Sequence, residues 1–165
     1  MPHKGIYIED DDKNIIVTQA LFSQEGFEIE PLPQLPLDVK DIYPLVLQQG
    51  ADFLLIDHQL NKKVSYTGYD ALKEIRRHDS TIYAVLLTTF KVDDFKKEFG
   101  IYDLEVSKDQ LNVDSKLSEI SEKIRRACDR ASDADSLAQA KVNRKFAEDS
   151  LEILRQIHQK VSKTS

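Results

Sequence analysis

The chain has a single cysteine, Cys128, among 165 residues, so it can close no internal disulfide and build no cysteine zinc site. In helical register with Ile124 and Ala131, Cys128 reads as a small core residue, not as a redox centre. Long apolar runs are lacking too: no window approaches the roughly 18 residues needed to cross a bilayer. The opening MPHKGIYIEDDD lacks the basic-then-apolar design of an export signal, and the expectation is a cytoplasmic chain with no membrane segment. Glycine and proline are absent from residues 110 to 165, where nothing interrupts a helix. An excess of positive charge is the last absence. Residues 1–132 carry 17 basic and 24 acidic side chains, and residues 133–165 carry 6 and 5. The first region repels nucleic acid and the second is too nearly neutral to hold phosphates by counterion release, so direct DNA binding is not expected.

At 41% apolar residues the chain can bury one substantial core and add a small appendage. Gly5 to Ile8 is short, apolar and β-branched, and reads as a buried strand stopped by an acidic run. Asn14 to Glu25 has helical spacing and is closed by Gly26; Phe27 to Leu32 reads as a second strand. Prolines at 31, 33 and 36 enforce an extended loop before a helix over Leu37 to Gln49, in which Pro44 should start or kink a segment. ADFLLIDHQL holds the most strand-like run, with Phe53 to Ile56 consecutive as in a strand covered on both faces, ending at Asp57. A polar loop to Gly68 leads into the helical YDALKEIRR. TIYAVLLTTF reads as a strand ending in Thr88 and Thr89, Asp93 to Phe99 as a short helix, and Tyr102 to Val106 as a last strand ending at Ser107 and Lys108. Strands alternating with helices predict an α/β fold, a parallel sheet with helices on both faces.

From Asp114 onward the pattern is helical, with SDADS at 132–136 either capping a new helix or lying within a continuing one. Leu137, Ala140, Arg144, Ala147, Leu151, Leu154, His158 and Val161 follow a heptad spacing. Such a stripe can fold back on the first domain or pair with a second chain. The expected division is 1–131 for the α/β domain and 132–165 for a helical extension, a coiled coil or an output or dimerisation element, because 34 residues hold no winged helix or catalytic domain.

In an open parallel sheet, ligands sit beyond the carboxyl ends of the strands. Standing there are Glu9 and Asp10, Asp57, Thr88 and Lys108. Three converging carboxylates raise one another's pKa, whereas a divalent cation among them keeps all three ionised. The acidic run of Glu9 to Asp12 thus points to a metal site. Asp11 and Asp12, nearer the helix, read as its cap and first-turn acids. His58 reads as a loop side chain, and His3, His78 and His158 show no ligand spacing.

This ordered set resembles the receiver domain of response regulators, the CheY-like superfamily, over about residues 4–131. IYIEDD resembles its first strand and acidic pair, LLID its phosphoacceptor strand, VLLTT its hydroxyl position and EVSK its lysine, with separations of 47, 31 and 20 residues from Asp10 through Asp57, Thr88 and Lys108. The resemblance implies a flavodoxin-like, doubly wound, five-stranded parallel sheet of order 2-1-3-4-5. It implies that Asp57 accepts a phosphoryl group from a histidine kinase or phosphotransfer protein in a two-component phosphorelay. Asp10, Asp57 and the backbone carbonyl of Gln59 would ligate Mg2+, Glu9 would position it, Thr88 would donate to the phosphoryl group and Lys108 would stabilise it. The chain would then be a signalling domain, not an enzyme in the ordinary sense, with a possible homodimer through its C-terminal helix.

Several positions depart from that family's pattern. The loop from Asp57 to Gly68 is about three residues longer, with Asn61 near the usual proline; Asp109 follows the lysine where proline is usual; Glu105 stands where an aromatic switch residue is usual, with Tyr102 as a possible substitute. These motivate an alternative: a degenerate receiver acting as a constitutive interaction module. A phosphatase of the haloacid dehalogenase type would place a second aspartate two residues after Asp57, and Gln59 stands there instead.

Overall fold

Phe53, Leu54, Leu55 and Ile56 are all fully buried, and a run of this kind is stable only where apolar layers cover both faces of a sheet. The computed structural model describes residues 2–60, 62–89 and 100–164. In it this run is β3 (Phe53–Asp57), the centre of a parallel five-stranded sheet with β1 (Lys4–Ile8), β2 (Glu28–Pro31), β4 (Tyr83–Thr88) and β5 (Leu104–Ser107) in the order β2-β1-β3-β4-β5. The helices are α1 (Asp12–Gln24), α2 (Ile42–Gln49), α3 (Gly68–His78), α4 (Lys108–Leu111) and α5 (Asp114–Thr164). This is the doubly wound α/β architecture that the sequence predicts. The helix expected over Asp93 to Phe99 lies outside the described residues, as does Asn61.

Successive strand residues face opposite sides, so the sheet divides its apolar side chains between two clusters. Ile6, Ile8, Leu54, Ile56 and Leu86 pack with Ile42 and Val46 of α2 and Leu72 and Ile75 of α3. Tyr7, Phe53, Leu55, Val85 and Leu87 pack with Phe22 of α1 and with Leu117, Ile120, Ile124 and Cys128 of α5. Cys128 is a buried free thiol in this second cluster.

Local chemistry sets the element ends. Asp11 caps α1, its side chain accepting from the Lys13 amide, and Gly26 follows the helix at φ 85°, a conformation that a residue with a Cβ rarely adopts. The second helix begins at Ile42, not Leu37. Asp38 caps a 3-10 turn, Val39–Asp41, that absorbs the intervening residues, and Pro44 then sits in the first turn of α2, where its missing N–H leaves no bond unmade. A reciprocal capping box, Thr67 with Asp70, starts α3. The last strand begins at Leu104, two residues later than the apolar pattern from Tyr102 suggests. The stretch at 132–136 does not interrupt α5.

The loop from His58 to Thr67 is less polar than its composition implies. Leu60, Val64 and Tyr66 are buried in the α2–α3 side of the core, and the Tyr66 hydroxyl donates to the carbonyl of Pro36 at 2.6 Å. By compactness the chain resolves into two units, Met1–Cys128 and Asp129–Ser165, the second of which is helical throughout its described residues.

Candidate functional site

Parallel pairing brings the carboxyl ends of the strands abreast: Ile8 pairs with Ile56, Asp57 with Leu87 and Thr88 with Ser107. The residues that terminate these strands therefore converge on one rim. Glu9 follows β1, Asp57 closes β3, Thr88 closes β4 and Lys108 opens α4 directly after β5. All four of Glu9, Asp10, Asp57 and Thr88 are buried, at 4%, 7%, 1% and 4% exposure. Polar side chains at that depth are retained only when something compensates their lost hydration.

The compensation is visible around each acid. Lys108 Nζ donates to Asp57 Oδ2 and lies 3.6 Å from Glu9 Oε2, so one ammonium serves two carboxylates. Asp57 Oδ1 accepts from the Gln59 amide at 3.0 Å. Glu9 Oε1 accepts from the amides of Asp10 (2.7 Å) and Asp11 (3.2 Å), while its Oε2 accepts from the Asn14 side-chain amide (3.2 Å) and the Tyr7 hydroxyl (3.3 Å). Asp10 Oδ2 accepts from the Lys62 amide at 3.2 Å, and Lys62 Nζ reaches Asp11 Oδ2 at 3.4 Å. These groups line a cavity of ≈ 290 Å³ bounded by Glu9, Asp10, Asp11, Asn14, Asp57, Gln59, Lys62 and Lys108. Thr88 is not among its lining residues; it lies buried one strand over from Asp57. Of the residues singled out in the sequence, the structure thus gathers Glu9, Asp10, Asp57, Gln59 and Lys108 around one space and sets Thr88 beside it.

Three further contributors escape a reading of the sequence. Tyr7 carries a signal in retrospect, since it precedes Glu9 by two residues on a strand and so shares its face. Asn14, in the first turn of α1, carries a weaker one. Lys62 carries none, because a loop without periodicity does not reveal which backbone amide will meet Asp10.

Glu9 is pushed above the usual carboxylate range, chiefly by burial and then by the neighbouring Asp57 carboxyl. Asp10 is also raised, by burial and then by Glu9. Burial and the Glu9 charge likewise push the Tyr7 phenol upward. Four acids and two lysines line the cavity, so negative charge is in excess. The available donors are all hard oxygens, which suit Mg2+ in both charge and ligand type and do not suit a softer metal. Among the described residues no group of three or more His, Cys, Asp or Glu side chains is already placed to hold a metal ion, in keeping with Lys108 spanning Asp57 and Glu9.

The raised Glu9 has a measurable consequence. A carboxyl whose folded-state pKa lies above its ordinary value favours the fold while protonated, and that contribution is lost as pH rises through the folded value. Glu9→Gln mimics the protonated acid. Its amide also meets the donors that now point at Glu9, so the informative quantity is the trend: in the presence of a chelator the melting temperature of Glu9→Gln relative to the unsubstituted protein should rise as pH rises from about 5 to about 8. Thermal melts at four or five pH values check this; a gap independent of pH would refute it.

No protein-family model matches the chain, and no curated protein matches it in sequence. Solved structures do match in three dimensions. The chain is similar to a CheY-like response regulator receiver domain from Methylobacillus flagellatus at 20% identity and a TM-score of 0.59, covering 75% of this chain and 99% of that one. It is similar to the Thermotoga maritima response regulator TrrA, in a complex with Mg2+ and BeF, at 16% identity and a TM-score of 0.57, covering 77% and 99%. It also matches a chain of the T. maritima complex of the histidine kinase ThkA with TrrA at 17% identity and a TM-score of 0.53, covering 77% and 98%. At these identities the likeness establishes a shared fold. Over about three quarters of its length, therefore, the chain has the fold of the CheY-like response regulator receiver domains, and a long C-terminal helix is added to it.

Proposed function

We propose that the chain is a receiver that accepts a phosphoryl group on Asp57 in two-component signalling. The observation that carries this reading is the meeting of Asp57, Glu9 and Lys108 at the carboxyl rim of the sheet, in a cavity with excess negative charge and only oxygen donors. An Asp57 oxygen attacks the phosphorus in line; its bond to phosphorus forms as the bond to the donor's nitrogen or oxygen breaks, and the leaving group departs with that electron pair, an imidazole carrying the proton its nitrogen needs and a carboxylate leaving as the anion. Phosphoryl transfer asks little covalent chemistry of the protein beyond alignment and charge neutralisation. Lys108, already on Asp57, stabilises the transferred oxygens. Thr88, buried beside Asp57, donates its hydroxyl to the phosphoryl group. Asp10, Asp57 and the Gln59 carbonyl would hold Mg2+, and Glu9, whose oxygens are occupied by amides, Asn14 and Tyr7, would position it. When bound, Mg2+ supplies neutralisation of the carboxylates and of the phosphoryl oxygens.

The donor in this reading is a histidine kinase or a phosphotransfer protein; the T. maritima structure, a histidine kinase, ThkA, in complex with the response regulator TrrA, supports a kinase as partner. Residues 1–131 act as the receiver and residues 132–165 as an element of self-association, and the whole acts in the cytoplasm. A second reading, a constitutive interaction module, is motivated by Glu105. Its Oε2 accepts from the Tyr102 hydroxyl at 3.2 Å, which ties a carboxylate where a mobile aromatic ring is usual.

Incubation with Mg2+ and acetyl phosphate tests the first reading. The expected product is a mass increment of one phosphoryl group, labile to hydroxylamine and absent from Asp57→Ala. No increment from acetyl phosphate or from a histidine-phosphorylated donor, in protein that binds Mg2+, would leave the constitutive module standing instead.

A further inference from the structure

We infer that the C-terminal unit, Asp129–Ser165, assembles with further copies of this chain as a bundle of three or four helices, not as a two-stranded coiled coil. A two-stranded coil buries a narrow seam, the one through Leu151 and Leu154 that the heptad spacing picks out. The structure adds a second stripe beside it. Val142, Phe146, Ile153 and Ile157 are 62%, 74%, 57% and 53% exposed, as open as Leu151 and Leu154 at 55% and 61%. At about 100° per residue, Val142, Ile153 and Ile157 lie within about 40° of Phe146, while Leu154 and Leu151 lie about 80° and 140° from it in one direction. The apolar side chains therefore form two stripes spread over about half of the helix circumference, with Gln139, Asn143 and Ser150 between them, and one neighbouring helix cannot cover both stripes. Two neighbours can, and a helix that touches two neighbours is the unit of a bundle.

Size and charge both favour copies of the same chain as the neighbours. A helical segment of roughly 36 residues is about 54 Å long, and half the circumference of a cylinder about 10 Å wide adds about 16 Å, giving close to 850 Å² per chain. That is about the area each partner contributes to a stable interface of standard size, roughly 800 Å². The 6 basic and 5 acidic side chains of residues 133–165 nearly cancel, so like copies of this segment do not repel as the acidic region 1–132 does. The inference rests on the reading of residues 132–165 as a self-association element and is independent of phosphoryl transfer.

Sedimentation equilibrium of the full chain tests it, with a mass of three or four times 18.9 kDa expected. Two double variants, Phe146→Asp with Ile157→Asp and Leu151→Asp with Leu154→Asp, should each lower that mass, because a bundle needs both stripes. These side chains are exposed in the single chain, so the melting of the α/β unit should not change; should aspartate unwind the helix, the corresponding alanine pairs keep helix propensity and read the same loss. A dimer would overturn the bundle and leave self-association standing. A monomer at tens of micromolar would overturn both.

Discussion

Gly68→Ala is expected to lower stability by about 3 kcal/mol, the upper part of the range for overpacking. A Cβ at Gly68 would stand 1.9 Å from the carbonyl oxygen of Asp57, 2.7 Å from its carbonyl carbon and 2.9 Å from Ile56 Cγ2. Two of these three atoms are backbone of the central strand at Asp57, which pairs with Leu87 of β4, and cannot swing aside as a side-chain tip can. The start of α3 must retreat instead, stretching the bond from the Gly68 amide to the His58 carbonyl, now 2.8 Å. For a chain of this size 3 kcal/mol corresponds to a fall in Tm of roughly 6 to 12 °C. The displaced atoms belong to Asp57 itself, so under the proposed function the Mg2+-dependent response to beryllofluoride that it expects should weaken along with the fold. A melt within about 2 °C of the unsubstituted protein would mean that the helix start moves freely, and that the close approach does not hold the site.

Lys108→Ala should separate three quantities that a generic structural lesion would move together. Removing the ammonium leaves Asp57 and Glu9 facing each other under cover, which costs about 2 kcal/mol in the metal-free protein; a fully buried pair would cost more, and Lys108 keeps part of its surface in water. Mg2+ binding should tighten at the same time. A dication and an ammonium sharing the Asp57 carboxylate repel even at the dielectric constant of water, so relief of that repulsion should lower Kd several-fold. Under the proposed function phosphoryl acceptance should nevertheless slow, since the charge assigned to stabilising the transferred oxygens would be gone. Calorimetric Mg2+ titration, a thermal melt in chelator and the acetyl phosphate time course read these separately. Weaker Mg2+ binding in this variant would show that Lys108 shapes the site and does not compete with the cation for it.

What the sequence made legible follows from where apolar order is strongest. Phe53 to Ile56 and Ala84 to Leu87 are continuous runs, and once both are strands their carboxyl ends fix where Asp57 and Thr88 stand. Glu9, Asp10 and Lys108 become candidates by the same argument. The late start of α2 was hidden because Asp38 and Asp41 can each begin a helix, and nothing in the local pattern marks the 3-10 turn that lies between them. The long loop after β3 defeated pattern reading for a different reason. Leu60, Val64 and Tyr66 are buried without regular spacing, and the Lys62 amide reaches Asp10 across 52 positions of sequence. The exposed stripe on α5 shows a third kind of failure. A strict heptad template selects Leu151 and Leu154 and passes over Phe146 and Ile157, because it presupposes a single neighbour.

The margin of the sheet has a bearing on handling that differs from anything at the rim. Unpaired edge strands invite foreign chains to add on and grow into aggregates. Here one edge is β2, only four residues long, carrying Glu28 and Glu30 and ending in Pro31, whose ring nitrogen offers no proton to an incoming strand. Lys4 holds Glu30 at 3.0 Å and keeps that charge at the border. Concentrated stocks should therefore resist filament seeding from this side, and any slow precipitation would have to begin elsewhere.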